Sequence, residues 1–232
     1  MTRTDEQTPR LLAETSVPTA ARMRLLGRRL ATLLRPGDLI VLNGPLGAGK
    51  TTLVQGIGDG LGVRGPVTSP TFVIARIHPA LRGGPALVHA DAYRLGSPAE
   101  VDDLDLDADL DRSVTVVEWG RGLVEGLAPS WLDVTIGWPV PGAAAARPVT
   151  AAGQPTTGWP GPGAEPGIGP GSGPAAGSGP AVGSGPAGGS GPAGGSGPAD
   201  EPRVVRLAGR GRRWATAAES VHLAISGAAE VL

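Results

Sequence analysis

The residues Gly44-Pro45-Leu46-Gly47-Ala48-Gly49-Lys50-Thr51 fit G-x-x-x-x-G-K-[ST], the spacing of a phosphate-binding P-loop. Glycines let successive backbone N–H groups turn inward towards phosphate oxygens, and the helix that follows, read as Thr52 to Leu61 with Leu53, Ile57 and Leu61 on one face, points its positive end at the same place. Lys50 is the only lysine among twenty Lys plus Arg residues. A chain so biased towards arginine uses lysine where a compact ammonium on a flexible stem is preferred to a planar fork. The pattern predicts that Lys50 reaches the β and γ phosphates and that the Thr51 hydroxyl binds magnesium. ATP is the expected nucleotide, with Gly44, Leu46, Gly47, Ala48, Gly49, Lys50, Thr51 and Thr52 around it.

Two acids end apolar runs further along the chain. Ala86-Leu87-Val88-His89-Ala90-Asp91 and Val114-Thr115-Val116-Val117-Glu118 both read as buried strands closing on a carboxylate. In a parallel sheet, the carboxyl ends of neighbouring strands open into one crevice. If these strands neighbour the one before the P-loop, Asp91 and Glu118 converge on Lys50 and Thr51. Phosphoryl transfer needs positioning, a metal ion to absorb charge, and a group to orient the attacking water. Asp91 is the metal-shell candidate; Glu118 is the candidate for orienting water, with a contact to the metal shell. His89 has no partner at ligand spacing and reads as a packing or hydrogen-bonding residue. Phe72 and Tyr93, the only phenylalanine and tyrosine, fall in the polar stretches Ser69-Pro70-Thr71-Phe72 and His89-Ala90-Asp91-Ala92-Tyr93-Arg94.

The elements that must position these groups are legible around them. Thr19 can cap a helix running to about Leu34 with Met23, Leu26, Leu30 and Leu33 as its buried stripe. Leu39-Ile40-Val41-Leu42 is the strand feeding the P-loop. The helix after it carries Gly56, Gly58 and Gly60, each costing about 1 kcal/mol relative to alanine, so packing must hold it. Leu132-Asp133-Val134-Thr135-Ile136 alternates like a half-exposed strand. Residues 1–16 are polar and expected to be flexible, and 17–138 form the core.

The chain has thirty-nine Gly and twenty-four Pro, and they are concentrated in residues 139–202, where Gly171 to Asp200 is five tandem copies of Gly-Ser-Gly-Pro-Ala-x. That segment cannot bury enough apolar surface to order itself and is read as a disordered insertion. Arg203-Val204-Val205-Arg206-Leu207 then closes the core beside the strand ending at Ile136, with a C-terminal tail to 232. Lengthening that connection from about 5 to about 60 residues adds only on the order of 2 kcal/mol of loop entropy. Gly209 to Trp214 reads as a polar surface turn.

Net charge is −1 with three His and no Cys, which gives no basic patch for autonomous RNA binding, no disulfide and no thiolate metal site. No apolar run is long enough for a membrane span, and a soluble cytoplasmic protein is expected. The P-loop leaves other chemistries open, a kinase of a small metabolite or a nucleotide-dependent switch, although guanine-selecting Asn-Lys-x-Asp is impossible with Lys50 the sole lysine.

Taken in order, Gly44 to Thr52, Ser69-Pro70-Thr71-Phe72, His89-x-Asp91-x-Tyr93-Arg94 and Glu118-Trp119 resemble the TsaE (YjeE) ATPases of bacterial tRNA threonylcarbamoyladenosine synthesis. The resemblance runs from about Thr19 to Trp138, with the Arg203 strand as the closing strand. It implies an α/β P-loop NTPase fold, a central, mostly parallel sheet flanked by helices, interrupted here by the long Gly/Pro/Ala/Ser insertion near the C-terminus. It also implies a magnesium-dependent ATPase working with TsaB and TsaD, and with tRNA through that complex, to modify adenosine 37 of tRNAs reading ANN codons. Position by position, Lys50 and Thr51 would bind phosphate and magnesium, Asp91 and Glu118 would serve metal and hydrolysis, Ser69 and Thr71 would belong to a switch-like loop, and Thr19 would approach the nucleotide. Two features depart from the pattern: Gly120, where many relatives have proline, and the repeat itself.

Overall fold

The apolar run Leu39–Asn43 becomes β2, the strand from which the fold is built. The computed structural model describes residues 9–70, 75–106, 108–139 and 201–229, with side chains to Ile225. Around β2 the other strands are β1 (Arg10–Val17), β3 (Ala75–His78), β4 (Ala86–Asp91), β5 (Ser113–Glu118), β6 (Trp131–Gly137) and β7 (Arg203–Arg210). They form one sheet in the order β1-β7-β6-β2-β5-β4-β3. The central four, β6, β2, β5 and β4, run parallel; β3 on one side and β7 on the other run against them, and β1, paired antiparallel with β7, runs with the central four again. A mixed α/β fold with a mostly parallel central sheet is thus present. Expected strand neighbours are also found: β7 pairs with β6, Gly137 opposite Val204.

The pleat sends alternate β2 side chains to opposite faces. Ile40 and Leu42 join a core with Met23, Leu26, Leu53 and Ile57, from α1 (Ala20–Ala31) and α2 (Lys50–Leu61). Leu39 and Val41 join a second core with Val101, of α3 (Pro98–Asp102), and with Leu106 and Val124. Helices α4 (Arg212–Ala215) and α5 (Ala218–Ala229) complete the first face through Trp214, Val221 and Ile225.

The glycines that weaken α2 as an isolated helix are what let it sit on α1. A Cβ on Gly56 would strike the Arg24 carbonyl oxygen and lie 2.9 Å from Arg24 Cα, and one on Gly27 would lie 2.8 Å from Gly56 Cα. Only hydrogen side chains permit so close a backbone approach.

Three expectations are corrected. Residues 10–16, expected to be flexible, belong to β1, which pairs antiparallel with β7 from Arg10 opposite Gly209 to Val17 opposite Arg203. Pairing to a strand so distant in sequence leaves no local signature. Strand β6 is buried on both faces instead of half-exposed, because Arg121 donates to both Asp133 oxygens and to the Thr135 hydroxyl, so its polar positions are satisfied inside the fold. The expected surface turn ending at Trp214 is instead an anchored corner. The Trp214 ring is fully buried against Gly209, and the Arg213 guanidinium pairs with buried Asp38 at 3.0 Å while donating to Leu33 O. The C-terminal tail is accordingly helical, α5 lying against α1 and β1. The insertion reading for 139–202 falls, over residues 140–200, outside the described residues. Among the described residues no helix is long and apolar enough to cross a membrane.

Candidate active site

Parallel pairing in register brings the strand-end residues together. Leu42 on β2 lies opposite Glu118 on β5, and Glu118 lies opposite Asp91 on β4. The condition on which the two acids could converge is therefore met. The loop from Gly44 to Gly49 leaves β2 at the same edge and enters α2 at Lys50. Gly44 has φ 146°, and a Cβ there would collide with Ile136 O on β6, so the loop begins pressed against the sheet end. Gly47 and Gly49 are also left-handed, at φ 79° and 104°. Ala48 is buried, whereas Leu46 is 89% exposed at the loop's tip.

Lys50 is buried, its Nζ donating to Gly44 O at 2.8 Å and Pro45 O at 3.1 Å and sitting 3.9 Å from the centre of the Trp119 ring. Burial pushes its pKa below the usual 10.5, and the Glu118 and Asp91 carboxylates oppose that fall. The Thr51 hydroxyl, one residue on, donates to Glu118 Oε1 at 2.9 Å, and Thr52 follows in the first turn of α2. The same Oε1 lies 2.9 Å from Nε2 of His89, which is fully buried. Asp91 sits at the mouth, its Oδ1 accepting the Tyr93 backbone N–H at 3.0 Å.

Thr19 caps α1, accepting the Arg22 N–H at 3.2 Å. One turn later Met23 Cε lies 3.6 Å from the Cβ position of Gly49, so the start of α1 does reach the loop. Ser69 is exposed between α2 and β3. Thr71 and Phe72 lie outside the described residues.

Sequence reasoning missed Trp119, which adopts φ 61° immediately after Glu118. A left-handed backbone costs a residue with a Cβ about 1–2 kcal/mol. The conformation directs the ring over Lys50 and places it edge-on to Tyr93, centroids 5.3 Å apart, while Trp119 N donates to Leu42 O at 2.9 Å. The Glu118-Trp119 adjacency was the available signal; nothing in spacing marks a ring folded back on a lysine sixty-nine positions earlier.

Chemically, a hydroxyl, an ammonium and two carboxylates share one sheet edge, beside a glycine loop and a helix N-terminus. A family model described as "Threonylcarbamoyl adenosine biosynthesis protein TsaE" matches residues 17–139, the span that holds all of these groups. A Streptomyces coelicolor protein named tRNA threonylcarbamoyladenosine biosynthesis protein TsaE is 66% identical over 115 residues, 49% of this chain and 78% of its own. Proteins of the same name are 53% identical over 118 residues in Mycobacterium tuberculosis (48% and 70% of the two chains) and 37% over 114 in Bacillus subtilis (49% and 70%). The crystal structure of Bacillus subtilis YdiB superposes with a TM-score of 0.52 at 20% identity, over 93% of this chain and 96% of that one, and so shares the fold.

Proposed function

The chain belongs to the TsaE family, and from that premise we propose that it is a magnesium-dependent ATPase serving tRNA threonylcarbamoyladenosine synthesis together with TsaB and TsaD. The observation that carries the reading is the 2.9 Å bond between Thr51 Oγ1 and Glu118 Oε1, with Lys50 one residue away and Asp91 in register beside Glu118. Backbone N–H groups of the Gly44 to Gly49 loop and the N-terminus of α2 cradle the phosphates. Lys50 exchanges its bonds to Gly44 O and Pro45 O for the β and γ phosphates. A nucleotide seated there lies between the start of α1 and the loop.

Thr51, Glu118 and Asp91 offer a hydroxyl and two carboxylates, hard oxygen donors that suit magnesium, and they are the residues that would hold it. The ion, bound with the nucleotide, would neutralise charge on the phosphate oxygens. Glu118 orients the attacking water, because its Oε1 is already engaged by Thr51 and His89 and no described residue engages Oε2. Asp91 would help hold the ion, directly or through water. The Ser69 and Thr71 segment is the switch that senses the nucleotide, and the partner proteins accelerate turnover and bring the tRNA.

The test is ATP hydrolysis by the full chain, alone and with TsaB and TsaD, followed by reconstituted tRNA modification. Wild type should hydrolyse ATP slowly alone and faster with the partners, and Lys50→Ala and Glu118→Gln should abolish turnover. Repeated rounds of tRNA modification unaffected by adding the chain would refute the assignment.

A further inference from the structure

His89 is wholly buried on β4, one pleat back from the mouth, and its one described polar contact is Glu118 Oε1. His89 pairs in register with Val116 and Asp91 with Glu118. Residues two apart share a face, so the imidazole lies beneath the carboxylate on the side covered by α2. An ionised carboxylate only accepts, and therefore Nε2 carries the hydrogen of this bond. The opposite nitrogen, Nδ1, is buried with no partner among the described residues. Nε2 is thus the ring nitrogen that engages Glu118.

Resting on the ATPase reading, we propose that His89 is the positioning residue for Glu118: its Nε2–H pins Oε1 so that Oε2 faces the water to be activated. The Thr51 hydroxyl cannot do this alone, because the proposed chemistry gives it a second duty towards magnesium. A glutamate side chain loses rotamer freedom when it is fixed. An imidazole locked in the sheet interior fixes it before substrate arrives, and that pre-orientation raises turnover and not nucleotide affinity.

The experiment compares wild type, Glu118→Gln, His89→Phe and His89→Gln as full chains, measuring single-turnover ATP hydrolysis and ATP affinity by calorimetry. Long-range 1H–15N NMR of the wild type without nucleotide reads the His89 tautomer directly. His89→Phe removes the donor and should slow hydrolysis roughly 10–100-fold, the scale for a misplaced catalytic group, with affinity unchanged. His89→Gln returns an N–H near the Nε2 position and should restore most of the rate, and the NMR should show a hydrogen on Nε2. A Phe variant as fast as wild type beside an inactive Glu118→Gln would overturn the positioning role alone. So would a Gln variant no faster than Phe, or an Nδ1–H tautomer. Undiminished hydrolysis by Glu118→Gln would overturn the ATPase reading of that residue and this proposal with it. Should His89→Phe fail to fold, the tautomer and the rate of His89→Gln decide the question.

Discussion

Replacing Gly56 with alanine sets two opposed effects against each other in one helix. Alanine favours the helix by about 1 kcal/mol over glycine. Against this, the added methyl would meet the α1 backbone: the Arg24 carbonyl oxygen directly, with Arg24 C and Cα each at 2.9 Å. Carbon atoms pack at about 3.5–4.0 Å, so α1 and α2 must separate by something near 1 Å, and neither side of the contact is a flexible side chain. Overpacking of this kind costs about 1–3 kcal/mol, and rigid backbone on both sides places Gly56 at the upper end. The expected net destabilisation is about 2 kcal/mol, a fall of about 1 M in the urea midpoint for a slope near 2 kcal/mol/M. Because α2 begins with Lys50 and Thr51, weaker ATP binding should accompany the loss. Urea unfolding with an unchanged slope, together with calorimetric ATP titration, measures both. A Gly56→Ala chain more stable than wild type by about 1 kcal/mol would show that propensity governs α2 and that the close approach to α1 is not a constraint.

Lys50 titrates below its usual 10.5 because of burial, so its charged form is disfavoured in the folded chain, and stability should rise as pH climbs from that lowered value towards 10.5. A bound triphosphate reverses the bias, so ATP binding within that pH window should take up protons and weaken as pH rises further; calorimetry in buffers of different ionisation heat reads this, and equal proton uptake by Lys50→Met would refute it. Arg213→Ala should cost about 3 kcal/mol in urea unfolding, because among the described residues it leaves the buried Asp38 carboxylate with the Arg35 N–H alone; a loss under about 1 kcal/mol would mean the pair is dispensable. Replacing residues 141–200 by a short turn should keep the fold and the ATPase activity, since Gly137 and Val204 already face each other across β6 and β7, and should gain at most about 2 kcal/mol of loop entropy; loss of both would make the repeat structural.

What the sequence made legible was local. A glycine loop between an apolar run and a helical stripe identifies itself, and so do the acids closing β4 and β5, because each signal is complete within about ten residues. Strand β1 escaped because its partner β7 lies some 190 positions away, and β6 seemed half-exposed because the arginine that satisfies Asp133 and Thr135 belongs to a different loop. Trp214 sat among arginines and glycines that look like a surface turn, yet Gly209 leaves the space in which its ring is buried. Adjacency of β2, β5 and β4 could only be assumed, and the site depends on it.

Adjacency also changes what the motif residues must do. Lys50 is bound to Gly44 O and Pro45 O and covered by Trp119, and Thr51 is bound to Glu118. Nucleotide binding at such a site exchanges protein bonds for phosphate bonds, so net affinity is the difference between two well-satisfied arrangements and not the sum of new contacts. The same exchange would lift the ammonium from the Trp119 ring and remove one interaction that offsets its left-handed backbone. Trp119 and the 70% exposed Tyr93 beside it are therefore the groups through which occupancy of the loop would first be felt at the surface.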